Sequence, residues 1–112
     1  PFLSDLRRLV ERTPEGPILD VTTYLGTHRD RVEQVFATLG HVDLVHFARR
    51  ATASALFSVA LMDRVVLPST VYAAYNHYLG ADKEIVEYPF NDHVAGELRH
   101  QYRQAAWLAE RI

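Results

Sequence analysis

Asp63 and His93 are the two side chains whose types and placement suit chemistry. Asp63 ends an apolar run, Ala55 to Met62, and His93 follows a second apolar-rich stretch 30 positions later. A carboxylate that orients an imidazole through Nδ1–H, with the imidazole as general base, makes two thirds of a nucleophilic triad. The same pair reads equally as an Asp that caps the next turn and a solvated loop histidine. No G-x-S-x-G sequence is present. Ser4, Ser54, Ser58 and Ser69 read better as cap, strand-edge, buried-strand and cap residues than as nucleophiles. His41 and His46 with Asp43 between them are too far apart to share a helix face, so surface positions are expected rather than a metal site. His77 and His100 read as helix-surface residues, His100 on the polar side of the last helix. Tyr72, Tyr75 and Tyr78 recur at helical spacing, which is core packing. Arg7-Arg8 and Arg49-Arg50 are too isolated to bind a polyanion.

The elements around the pair must bring two loops together. A nearly unbroken apolar run such as Ala55–Met62 suits a strand buried on both faces, as in a parallel sheet covered by helices. Pro68-Ser69-Thr70 opens a helix through Leu79, which Gly80 ends. Glu84–Tyr88 forms a second strand, and Pro89-Phe90-Asn91-Asp92-His93 forms a loop. A terminal helix over about 95–112 puts Leu98, Tyr102, Ala105, Ala109 and Ile112 on one stripe. Sites in open α/β sheets lie outside the carboxyl ends of strands, where both Asp63 and His93 fall. The acid-then-base order, with an earlier serine, is that of the α/β-hydrolase triad.

Before residue 50 the chain reads as helical. Ser4 can cap a helix bearing Leu6, Leu9 and Val10. Pro17 opens a segment, Ile18 to Leu25, of undecided type. A helix over Arg29–Leu39 aligns Val32, Val35, Phe36 and Leu39 and stops at Gly40. A shorter helix over Asp43–Arg49 buries Leu44, Phe47 and Ala48. The chain thus divides into a helical segment, 1–50, and a strand–helix–strand–helix segment, 51–112. Two parallel strands make a poor sheet, so the expectation is the end of a sheet whose earlier strands lie elsewhere. Pro1 in place of an initiator Met points the same way.

Composition sets the outer limits. A chain of 112 residues with 48% hydrophobic and 23% charged residues is not disordered. Twelve Lys+Arg against 14 Asp+Glu, net charge −2, argue against a general nucleic-acid or anionic-membrane surface. No stretch is apolar for long enough to cross a bilayer. Lack of cysteine excludes a disulfide framework and leaves the compartment open. With no signal-like opening either, a cytoplasmic location is the expectation.

Three blocks together carry a family resemblance: Ala55-Leu-Phe-Ser-Val-Ala-Leu-Met-Asp63, then Pro68-Ser-Thr-Val-Tyr-Ala-Ala-Tyr-Asn-His-Tyr78, then Lys83-Glu-Ile through Tyr88-Pro-Phe-Asn-Asp-His93. With the opening Pro1-Phe2-Leu3, Leu6-Arg7-Arg8 and the stretch Thr27–Leu39, the sequence closely resembles the acetyl xylan esterase / cephalosporin C deacetylase family of α/β-hydrolases. The resemblance implies the C-terminal portion of an α/β-hydrolase fold, carrying its last two parallel strands and flanking helices. The parent protein would be roughly three times as long. It also implies that Asp63 is the triad acid, that His93 is the general base, and that Phe2, Pro17 and Val65 line a small acyl pocket. The nucleophile, in a Gly-x-Ser-Gln-Gly elbow, and the oxyanion donors would lie upstream. Two positions depart from the family pattern. Val94 follows His93 where Glu is common, and Val66-Leu67-Pro68 stands where Cys-Pro-Pro is usual.

The implied activity is that of a serine carboxylesterase that deacetylates small acetylated sugars or related acetyl esters without metal or organic cofactor. The implied assembly is a ring-like homo-oligomer. Nucleic acid and membrane are not expected partners. The alternatives are a non-catalytic module packing on a partner chain, which can be the N-terminal part of the same protein, or another α/β-hydrolase of peptidase or lactonase type.

Overall fold

The computed structural model describes residues 2–13 and 15–112, so Pro1 of the opening motif and Pro14 lie outside the described residues. Helix α1 spans Leu6–Arg12 and buries Leu6, Leu9 and Val10. Together with Ile18 these residues form a hydrophobic cluster, against which Phe2, Val21, Leu25, Phe36, Leu39 and Leu67 pack. Side chains this well buried each contribute about 1.5–3 kcal/mol. The segment of undecided type is a helix, α2, over Leu19–Thr27. A 3-10 turn over Arg29–Arg31 leads into helix α3, Val32–Gly40, and α4 covers Leu44–Ala48.

The cap of α1 is not local. Ser4 is fully buried, and the residue before the helix is Asp5, at φ 50°. Its N–H and that of Leu6 donate instead to the Asp43 carboxylate, at 3.0 and 2.8 Å. Asp43 is also the N-cap of α4, accepting from Val45 N–H at 3.0 Å. One carboxylate therefore satisfies orphan donors of two helices.

Strands β1 (Ala55–Ala60) and β2 (Lys83–Tyr88) pair in parallel, Ala55 opposite Lys83 and Ala60 opposite Tyr88. The crossover is helix α5, Pro68–His77, with Pro68 in its first turn, where a missing N–H costs nothing. Lys83 Nζ donates to the carbonyls of Tyr75 and Tyr78, a cation at the C-terminal end of α5. Helix α6 spans Glu97–Ala109. Successive strand residues point to opposite faces. Phe57 meets Tyr75 and Tyr78 of α5 edge-on, whereas Leu56 faces Trp107 and Leu108 of α6. The two-stranded sheet therefore has a helix on each face.

Four expectations change. Helix α4 buries Val45 and Ala48, while Phe47 lies on its exposed side. Only Val59 and Ala60 of β1 are fully buried; Ala55–Ser58 are half-buried, because β1 has one strand neighbour among the described residues. The last helix begins at Glu97 rather than near residue 95, since Gly96 and Glu97 both have positive φ. Its apolar stripe faces outward, Leu98 at 66% and Tyr102 at 75% exposure, and the buried residue of α6 is His100.

Candidate functional site

Past the last paired residues, the sheet hydrogen bonding continues into the two loops. Leu61 N–H donates to Tyr88 O and Met62 N–H to Asn91 O, both at 3.1 Å. Asn91 N–H in turn donates to Tyr88 O. These bonds set the loop after β1 directly beside the loop after β2. Asp63 closes a tight turn by donating its N–H to Ala60 O, and its side chain is buried.

The carboxylate of Asp63 divides its work between its oxygens. Oδ1 accepts the N–H groups of Val65 and Val66, each at 2.8 Å. Oδ2 lies 3.1 Å from Nδ1 of His93, with Oδ1 farther off at 3.4 Å. Turn cap and histidine partner, open alternatives on sequence alone, are both present on one side chain. Two backbone donors on one oxygen fix the carboxylate plane, so the other oxygen meets the imidazole in a set direction.

His93 itself is on the surface, with 57% of its side chain exposed. Both hydrogen bonds of its ring among the described residues go to Asp63 through Nδ1. Nε2 is thereby left as the nitrogen that can exchange a proton with a reacting group. Asp92 Oδ1 accepts Val94 N–H across the histidine, giving the loop tip its own short brace. Val94 stands where a Glu was expected by resemblance, and it is exposed.

The three expected pocket residues are placed as follows. Val65 is half-buried against Gly16: a Cβ on Gly16 would sit 2.8 Å from Val65 Cγ1, and its φ of +77° already favours glycine. Pro17, next in the chain, is exposed. Arg64 and Glu15 form an ion pair at 2.8 Å, tying the acid loop to the same turn. Phe2 is half-buried and packs against the α1 cluster, which Leu67 of the acid loop also joins. The sequence assigned no site role to Asn91, Val66 or Gly16. Asn91 and Val66 act through backbone groups that every residue type carries, and Gly16 left only a turn signal.

The other candidates have structural partners. Tyr72 hydroxyl donates to Glu87, while Tyr75 and Tyr78 pack on Phe57. The Glu87 acceptor holds the Tyr72 phenol above its ordinary pKa. His41 Nδ1 lies 2.9 Å from Ala37 O at the end of α3. Asp82 is held below the ordinary carboxylate range by hydrogen bonds from Arg111 and Ser54.

Residues 1–111 match the family model for acetyl xylan esterase. An acetyl esterase of Xylanibacter ruminicola, Axe7A, is 30% identical over 90 residues, which cover 76% of this chain and 20% of that protein. The solved acetyl xylan esterase from Paenibacillus sp. R4 superposes with a TM-score of 0.91 at 32% identity, covering 98% of this chain and 35% of that one. Acetyl xylan esterase 1 from Thermoanaerobacterium sp. JW/SL YS485 gives a TM-score of 0.83 at 32% identity, over 94% and 34%. The chain thus spans about a third of the length of these solved enzymes, whose mixed α/β architecture it shares. With matching sequence, fold and near-complete coverage from this side, the chain belongs to the acetyl xylan esterase family.

Proposed function

We propose that these 112 residues supply the acid and the base of a serine carboxylesterase that removes acetyl groups from small acetylated sugars. The observation that carries the reading is the Asp63–His93 hydrogen bond, made by a carboxylate whose second oxygen is already held by two backbone N–H groups. The nucleophilic serine and the oxyanion donors come from outside this sequence, which has no nucleophile elbow. His93 Nε2 accepts the serine proton as Oγ bonds to the acetyl carbon. It then protonates the sugar oxygen as the ester C–O bond breaks. Water hydrolyses the acetyl-enzyme with the histidine in the same two roles, and Asp63 stabilises each imidazolium.

Val65, Pro17 and Phe2 line the acyl side of the site, where a tight apolar slot accepts a methyl and resists longer chains. Acetylated antibiotics of the cephalosporin C type fit the same slot, because the departing alcohol lies outside it. The working enzyme is a cytoplasmic homo-oligomer in this reading, and the 112-residue chain alone is inactive.

Hydrolysis of p-nitrophenyl acetate and butyrate by the complete protein tests the assignment. Acetate is turned over at least ten times faster than butyrate, in keeping with the roughly 10–200-fold that a methylene or two is worth in a tight pocket. His93→Ala lowers kcat by about 10,000-fold or more. Retained activity in that variant removes the assignment.

A further inference from the structure

The loop that carries His93 is closed at its base by three residues the esterase reading does not use. Tyr88 ends β2, and its hydroxyl hydrogen-bonds Nδ1 of His100 at 3.0 Å across the loop. The two rings meet edge to face, centroids 5.6 Å apart. Gly96 lies beneath the Tyr88 ring, which occupies the space a Cβ on residue 96 would need, and its φ is +73°. His100 is 8% exposed, the one fully buried residue of α6, and burial keeps its ring below the ordinary histidine pKa. A buried polar ring of this kind needs its partner, since an unpaired donor or acceptor there costs about 1–3 kcal/mol. Tyr88 meets that need, and by doing so joins the two ends of the 89–96 loop. The carbonyl of the same residue accepts Leu61 N–H from the acid loop.

We infer that Tyr88, Gly96 and His100 form a clasp that positions His93 toward the nucleophile, a role that rests on the esterase reading above. Tyr88 and His100 are positioning residues. They touch neither substrate nor the reacting atoms, and they act by fixing where the His93 loop leaves and re-enters the fold. Small displacements of a catalytic group cost much more in rate than in stability, on the order of 100-fold per ångström.

The test uses the complete esterase. Tyr88→Phe keeps the ring over Gly96 and deletes only the hydroxyl; His100→Leu keeps the burial and deletes the acceptor. Each lowers kcat about tenfold with KM within twofold, and the double variant is no worse than either single one. His100→Asn, whose Oδ1 stands near the place of Nδ1, recovers most of the lost kcat. In NMR spectra the His93 imidazole proton resonance, identified by its disappearance in His93→Ala, shifts or broadens in Tyr88→Phe. Unchanged kcat in Tyr88→Phe overturns the clasp, as do additive losses in the double variant or a His93 resonance that stays put. Full activity in His93→Ala overturns the esterase reading instead, and the resonance arm still decides whether the clasp holds the loop.

Discussion

Asp63 has no spare oxygen. Oδ1 takes two backbone N–H groups and Oδ2 faces the His93 ring. Asp63→Asn preserves size and forces a choice. The amide oxygen goes to the pair of backbone donors, and the amide NH2 then points at Nδ1. An imidazole facing a donor at Nδ1 carries its proton on Nε2, the wrong tautomer for accepting one from serine. On the proposed esterase reading, the variant folds normally while kcat for acetyl esters falls by about 10,000-fold, KM changing little. A loss smaller than tenfold would mean that the carboxylate serves the turn and not the histidine. The pair itself was legible from sequence because both residues follow strands in a pattern that places loops at one end of a sheet. The two N–H donors were not, because no side-chain type marks a backbone donor.

Asp43 joins elements that are far apart in the chain. Its carboxylate accepts N–H groups at the start of α1 and at the start of α4. Asp43→Ala leaves three donors seeking water and costs about 2 kcal/mol, measured as a lowered free energy of denaturant unfolding. Sequence pointed to Ser4 as the cap of α1 and gave Asp43 only as the start of a short helix. A cap 37 residues away along the chain cannot be read from local order. Helix α5 was readable nearly to its ends, since Pro68 and Gly80 both carry backbone preferences of their own. The inward face of α6 was not. Periodicity locates a stripe without naming what it meets, and here the stripe is exposed while His100 packs on Tyr88. That burial has a pH signature. The unfolded imidazole titrates near 6.5, and burial, helped by Arg103, lowers the folded value. Below 6.5 the unfolded state binds more protons, so stability is fully present above that pH and falls as the pH drops toward the folded value. Melting curves between pH 7.5 and about 5 should show this decline, and His100→Asn should flatten it.

At the scale of the whole chain, the radius of gyration is 15.6 Å, against about 13 Å for a compact domain of this length. The long axis reaches 51 Å. Much apolar surface stays in water, including Phe90, Val94, Leu98 and Tyr102 around the His93 loop and along α6. Exposed clusters of this kind bind hydrophobic dyes and self-associate. The 112-residue chain prepared alone should enhance the fluorescence of such a dye several-fold more, mole for mole, than a longer protein that contains it. Equal signals would show that this surface is no better covered in the longer protein. Meanwhile the hydrogen bonds from Leu61 and Met62 to Tyr88 and Asn91 carry the sheet ladder into both loops, so acid and base belong to one rigid piece. A shift of one loop therefore carries the other with it, and carboxylate and imidazole travel together.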